Sequence, residues 1–383
     1  VTVTSPQGFV AAGVTAGLKA SGRSDVALIV NQGPSMAAAA VFTSNRVHAA
    51  PVKWSRQAVA DGQLQAVILN SGGANACTGP GGFTDSATTA ARVADRLGLI
   101  TDNVAVCSTG LIGVRLPMDL LLAGVDEACA TAHADGGDAA AAAIMTTDTV
   151  PKQAVVQGEG WSIGGIAKGA GMLAPGLATM LVVLTTDAAL DAAALEAALR
   201  EATRLSFDRA DSDGCMSTND TVILMASGAS SVTPEIADFT TALTGLCQDL
   251  ARQLIADAEG ASHEIAIEVT GAATEADAEE VGREIARSNL FKCAIFGGDP
   301  NWGRVLSAIG VTRAAFDPDE LDVSFNGVMV CRGGQIGDDR ALVDLSGRHV
   351  QVTVDLHAGS ETATILTNDL TYDYVKENAE YSS

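Results

Sequence analysis

Residues 168–187 read KGAGMLAPGLATMLVVLTTD, and both fold and chemistry turn on this stretch. Gly169, Gly171 and Gly176 permit backbone angles that other residues avoid, and Pro175 interrupts any helix. The apolar run Met180-Leu181-Val182-Val183-Leu184 has the length and composition of a fully buried strand. Thr179 is the last polar residue before that run, and it has two readings. In one it is a β-branched strand residue whose hydroxyl satisfies the turn. In the other the Ala178–Thr179 bond is cut and Thr179 becomes a new N-terminus. Its hydroxyl is then a nucleophile and its own α-amine the general base.

The chain around this stretch has 383 residues, enough for two or three domains. With 47% hydrophobic but only 4% aromatic residues, its core is built mainly from Ala, Val, Leu and Ile. A net charge of −23 argues against nucleic acid and against anionic membrane surfaces. It also makes a buried lysine beside a glycine loop a candidate anion site. The seven cysteines are scattered, odd in number and without a CxxC pair, which predicts free thiols in a reducing compartment. The five histidines are dispersed, so no metal site is expected. No leader-like N-terminus and no apolar run near 18 residues is present, and the expectation is a cytoplasmic protein.

Two further strands end in small-residue turns. Ala66-Val67-Ile68-Leu69 runs into Asn70-Ser71-Gly72-Gly73-Ala74-Asn75, which either turns the chain or holds an anion. Val104-Ala105-Val106-Cys107 runs into Ser108-Thr109-Gly110, either an ordinary strand exit or an oxyanion hole with free N–H donors. Helices are predicted from Thr84 or Asp85 to Leu97, over 118–131, from Asp191, and from Pro234 to near Gly260. A capping box at Thr274 predicts another to about Arg287, and 298–304 reads as a packed loop. Asp211-Ser212-Asp213-Gly214 resembles the start of a calcium loop. The closing Glu is missing and a strand follows, which excludes it. Glu259 sits in what reads as a last helical turn, where a carboxylate opposes the dipole.

The segment KGAGMLAPGLATM resembles the processing segment of the glutamate N-acetyltransferase (ornithine acetyltransferase) family of arginine biosynthesis. The similarity extends from near residue 8 to the end, through blocks at Thr109-Gly110, Thr146, STNDT at 217–221, DAEG at 257–260 and the C-terminal tail. The resemblance implies an α/β (α+β) fold. A layered αββα-type sandwich surrounds a self-processing Thr, with a smaller α+β C-terminal module. Residues 1–185 would form the N-terminal domain, 186–261 a segment completing the active site, and 262–383 the C-terminal domain. The implied cleavage lies between Ala178 and Thr179, and the implied oxyanion donors are Thr109 and Gly110. Thr146, Lys168, Thr179, Glu259, Asn378 and Ser383 would meet the substrates, with Asn219 and Asp220 in support. The implied reaction moves acetyl from N2-acetylornithine to glutamate through acetyl-Thr179, without a cofactor. Acetyl-CoA is a further donor in bifunctional members, and the family assembles as α2β2. The competing readings are an N-terminal-nucleophile aminopeptidase or amidase of related fold and a non-catalytic amino-acid-binding protein. The tyrosines Tyr372, Tyr374 and Tyr381 all lie near the C-terminus, which predicts a tail that packs down.

Overall fold

The computed structural model describes residues 2–174 and 180–380. Two compact units are present, one formed by the chain up to Asp208 with Cys215–Leu254, the other by Arg209–Gly214 with the chain from Ile255 onward. These boundaries differ from a division at 185 and 261. In-register pairing of the strands at Leu181–Thr186 and Thr221–Ala226 draws the intervening chain into the first unit.

The first unit contains, in order, β1 (Phe9–Val14), β2 (Val26–Asn31), β3 (Ala38–Phe42), α1 (Ala50–Ala58), β4 (Ala66–Asn70), α2 (Gly79–Leu97) and β5 (Val104–Ser108). There follow α3 (Met118–Thr131), α4 (Gly137–Ala143), β6 (Lys152–Gln157), β7 (Ser162–Lys168), β8 (Leu181–Thr186), α5 (Ala192–Arg204), β9 (Thr221–Ala226) and α6 (Ile236–Ala256). They make a four-stranded sheet, β1-β2-β4-β5, and a five-stranded sheet, β3-β9-β8-β7-β6. Side-chain alternation shows how the layers stack. Ala27, Ile29, Val67 and Leu69 from the first sheet share one core with Ile166, Leu181, Val183 and Ile223 from the second. The opposite faces of β2 and β4, through Leu28 and Ile68, pack on Val93 of α2 and Leu121 and Val125 of α3. On the far side of the second sheet, Leu184 and Gly165 meet Leu246 and Leu250 of α6, and α5 packs on β3. The unit is an αββα sandwich. The expected buried strand is β8, fully buried along its length. Each Leu or Val in it contributes about 1.5–3 kcal/mol on burial.

The edge strand β5 is capped sideways by α1: Ser55 Oγ donates to Val106 O at 2.7 Å and accepts from Val106 N–H at 2.9 Å. That contact satisfies exposed ladder groups and holds the strand that leads to Thr109. Helix α2 starts at Gly79, ahead of the expected Thr84 or Asp85, with Pro80 in its first turn, and ends on Gly98 at φ +69°. Asp191 caps α5 as expected, accepting from Ala194 N–H at 2.9 Å.

The second unit holds β10 (Glu264–Ala272), α7 (Glu275–Arg287), α8 (Asn289–Phe296), α9 (Trp302–Ile309), β11 (Asp322–Phe325), β12 (Val328–Arg332), β13 (Gln335–Ile336), β14 (His349–Asp355), β15 (Glu361–Asn368) and α10 (Tyr372–Glu380). Its six-stranded sheet runs β13-β12-β11-β14-β10-β15. Ile265, Ile267 and Val269 of β10 face a core closed by Val281 and Ile285 of α7 and Val305 and Ile309 of α9. The N-cap half of the predicted box is present: Thr274 Oγ1 accepts from Asp277 N–H at 3.1 Å. Where a loop was expected over 298–304, Asn301 caps the start of α9 by accepting from Arg304 N–H. All seven cysteines are free thiols. Among the described residues no helix is long and apolar enough to cross a membrane.

Candidate active site

Lys168 is the last residue of β7, and its side chain is almost wholly buried. Its Nζ donates to Thr146 Oγ1 at 2.8 Å and to Thr109 Oγ1 at 3.3 Å. Three elements converge here: the exit of β5 brings Thr109, the turn after α4 brings Thr146, and β7 brings the lysine. The sequence reading named all three residues but carried no local signal that they meet.

Two neighbours went unread. Asp148, fully buried, accepts from Lys152 Nζ at 2.6 Å, Gly169 N–H at 2.7 Å and Thr146 N–H at 2.9 Å. It also lies 3.9 Å from Lys168 Nζ. Burial alone would raise its carboxyl, but Lys168 and Lys152 outweigh that and hold it well below the usual carboxylate range. Lys152 was invisible as a site residue because its partner lies one helical spacing away in a segment that is not a helix. Lys19 adds a further cation, donating to Met145 O at 2.6 Å. Burial first, then Arg23, lowers its pKa to about 8.

The turn at Thr109-Gly110 is braced from several sides. Thr109 N–H is spent on Asn70 O at 2.9 Å, so the expectation of free backbone donors is corrected at this residue. What Thr109 retains is its hydroxyl. Because Oγ1 accepts from Lys168, its proton points elsewhere and can be donated. Gly110 has φ +132°, and a Cβ there would lie 2.7 Å from Gly73 N, so only glycine fits. Gly73 N–H in turn donates to Thr109 O at 3.0 Å. Asn219 reaches over from the start of β9 and donates to both Ala74 O and Ser108 O at 2.7 Å. The NSGGAN turn is therefore a brace for the Thr109–Gly110 turn.

Ala178 and Thr179 lie outside the described residues. The next residue, Met180, is buried, and its N–H donates to Asp220 Oδ1 at 3.1 Å.

In the second unit, Glu259 and Asn378 meet. Asn378 Nδ2 donates to Glu259 Oε2 at 2.9 Å and to Tyr374 O at 3.0 Å. Glu259 does not sit in a last helical turn, because α6 ends at Ala256. Gly260, at φ +62°, turns the chain so that its carbonyl accepts from Thr371 Oγ1 at 2.6 Å, at the start of α10. Ser383 and Tyr381 lie outside the described residues. Of the two tyrosines described, Tyr374 is half-buried, whereas Tyr372 is 83% exposed against the expectation of a packed tail, with its ring edge-on to Phe296 at 5.4 Å. Polar contacts from Thr371 to Gly260 O and from Asn378 to Glu259 also hold the helix.

The ArgJ family model matches residues 10–383. The arginine biosynthesis bifunctional protein ArgJ of Streptomyces avermitilis is 65% identical over 383 residues, covering 100% of both chains. Its namesake in Thermobifida fusca is 64% identical over 383 residues with the same coverage. Among solved structures, the ornithine acetyltransferase of Mycobacterium tuberculosis complexed with ornithine shares 57% identity at a TM-score of 0.45, covering 47% of this chain and 96% of that one. The ArgJ structure from Bacillus halodurans shares 37% identity at a TM-score of 0.49, covering 51% of this chain and 97% of that one. With a family match over nearly its whole length and full-length relatives at this identity, the chain belongs to the ArgJ family.

Proposed function

We propose that this enzyme cuts itself between Ala178 and Thr179 and moves acetyl from N2-acetylornithine to glutamate through Thr179. The observation that carries the reading is the Lys168 ammonium shared between the Thr109 and Thr146 hydroxyls, in a member of the ArgJ family. Acyl transfer needs a nucleophile, a base, a site for the oxyanion and a hold on the substrate, and each has a residue here.

Thr179 Oγ attacks the acetyl carbonyl. Its α-amine, with an ordinary pKa of about 7.7–8.0, takes the hydroxyl proton and later delivers it to the leaving amine. A lysine ammonium close by favours the neutral amine. The Thr109 hydroxyl and the Gly110 N–H receive the developing oxyanion. Thr146 and Lys168 hold substrate polar groups, and Glu259, Asn378 and Ser383 are assigned to the substrate as well. Ornithine leaves, glutamate takes its place, and the acetyl ester is passed to the glutamate amine. No cofactor takes part. Acetyl-CoA is the candidate second donor, and the cut fragments assemble as α2β2 in the cytoplasm.

The test is to supply acetylornithine without glutamate. One equivalent of ornithine should be released in a burst, and mass analysis of the 179–383 fragment should show one added acetyl group. Steady release with no acetylated fragment would overturn the covalent route. Running acetyl-CoA in the same assay decides the second donor.

A further inference from the structure

Between α4 and β6, residues 145–149 form neither helix nor strand, so their peptide groups have no ladder to bond to. Around Thr146 charged side chains take up those groups. Thr146 N–H donates to Asp148 Oδ2 at 2.9 Å. Arg23 Nη2 donates to Thr146 O at 3.0 Å, and Lys19 Nζ donates to Met145 O at 2.6 Å. Both cations come from the loop that joins β1 to β2, 123 and 126 residues away in the chain.

That loop holds its own shape. Buried Asp25 accepts from Ala16 N–H and Leu18 N–H at 2.6 Å and from Lys19 N–H at 3.1 Å. Lys19 Nζ also donates to Ser24 O at 2.8 Å. The lysine is therefore fixed at its backbone and at its tip, and it has little rotamer freedom left to lose in meeting Met145 O. Ser71 ties the same parts together, its N–H donating to Asp25 O at 2.9 Å and its Oγ to Ala143 O at 2.5 Å.

Charge-assisted hydrogen bonds are roughly twice as strong as neutral ones, and two of them converge on adjacent carbonyls of one turn. With its N–H, its own carbonyl and the preceding carbonyl all held, the Thr146 backbone cannot rotate. Its hydroxyl stays where it accepts from Lys168 Nζ at 2.8 Å. We propose that Lys19 and Arg23 are positioning residues for acetyl transfer, acting through Thr146 by fixing the place of its hydroxyl. This rests on the reading that Thr146 meets the substrate.

The experiment measures KM for N2-acetylornithine and for glutamate on purified enzyme. A variant that only folds less well has fewer active molecules and loses kcat; one that lets the Thr146 hydroxyl wander raises KM. Lys19→Met keeps the length of the side chain and removes its donor and charge. KM for both substrates should rise about tenfold, as loss of a charge-assisted bond predicts, and Lys19→Arg should recover most of it. Should Lys19→Met fail to fold, Arg23→Met carries the same test from an exposed position, where substitutions disturb folding little. Its KM values should rise about threefold, and Arg23→Lys should restore them. Both Met variants are then made in a Thr146→Ala enzyme, where with the hydroxyl gone they should change KM less than about twofold. Increases of the same size with and without the Thr146 hydroxyl overturn the positioning role. So do parental KM values in both Met variants of the parent enzyme. Thr146→Ala alone separates the two claims. If its KM values are parental, the reading of Thr146 fails; if they rise while the Lys19 and Arg23 variants stay parental, only the positioning role fails.

Discussion

Replacing Asp148 by Asn removes a negative charge that lies against both Lys152 and Lys168. With an effective dielectric of about 20, the Lys152 contact at 2.6 Å corresponds to about 6 kcal/mol of attraction. The Lys168 contact at 3.9 Å corresponds to about 4 kcal/mol. Most of this offsets the cost of taking the charges out of water. Breaking a buried pair by removing one partner nets about 3–5 kcal/mol of destabilisation. We expect that loss at pH 7 by urea unfolding of the first transition. The pH dependence follows from the depressed carboxyl pKa. The contribution is fully present above the unfolded value of about 3.9 and disappears as pH falls through the lower folded value. Parent and variant should therefore converge in acid. Adding Lys152→Met to Asp148→Asn should recover part of the loss, because it removes a buried ammonium that has lost the Asp148 carboxylate. A variant within about 1 kcal/mol of the parent at pH 7, or a double substitution that is fully additive, would refute the account of Asp148 as the counter-charge of this site.

Gly110→Ala must place a Cβ 2.7 Å from Gly73 N at φ +132°, and the strain should be about 1–3 kcal/mol. Transfer should fall with it while Ala178–Thr179 cutting persists; a fully active Ala variant argues against the tight turn. Glu259→Gln should lower kcat/KM for acetylornithine about tenfold more than for glutamate, as loss of a charge-assisted bond predicts. Equal effects on both substrates mean that Glu259 only holds Asn378. Deleting residues 378–383 should leave cutting intact and reduce transfer about tenfold or more. Ornithine release at the parental rate from a truncated, cut preparation shows the tail to be dispensable.

What was legible in the sequence was local. The apolar run of β8 and the caps at Asp191 and Thr274 depend on neighbours in the chain, and each appears where it was read. The strand β7 was not read, because Gly164 and Gly165 dilute its apolar pattern, yet Gly165 lets α6 approach the sheet and Gly164 lets the backbone at Thr2 approach its other face. The convergence of Thr109, Thr146 and Lys168 depends on pairing across the sheets, and the resemblance alone pointed to it. Asp148 and Lys152 look like ordinary polar residues in sequence; only burial turns them into a site. Thr109 illustrates the limit from the other side. Its place after β5 was plain, but which of its donors is free depends on Asn70, a residue on the neighbouring strand.

The five-stranded sheet has the order β3-β9-β8-β7-β6, and the proposed cut falls between β7 and β8. Strands β3, β7 and β6 then belong to one fragment and β8 and β9 to the other, with the second pair inserted between members of the first. Before the cut, the sheet assembles within one molecule, and its rate does not depend on concentration. After it, both outer seams of the inserted pair, β7 with β8 and β3 with β9, join different chains. Once the fragments have been melted apart, rebuilding the sheet is a second-order reaction that slows with dilution and competes with aggregation of exposed strands. The mature enzyme would owe its persistence to slow unfolding rather than to ready refolding.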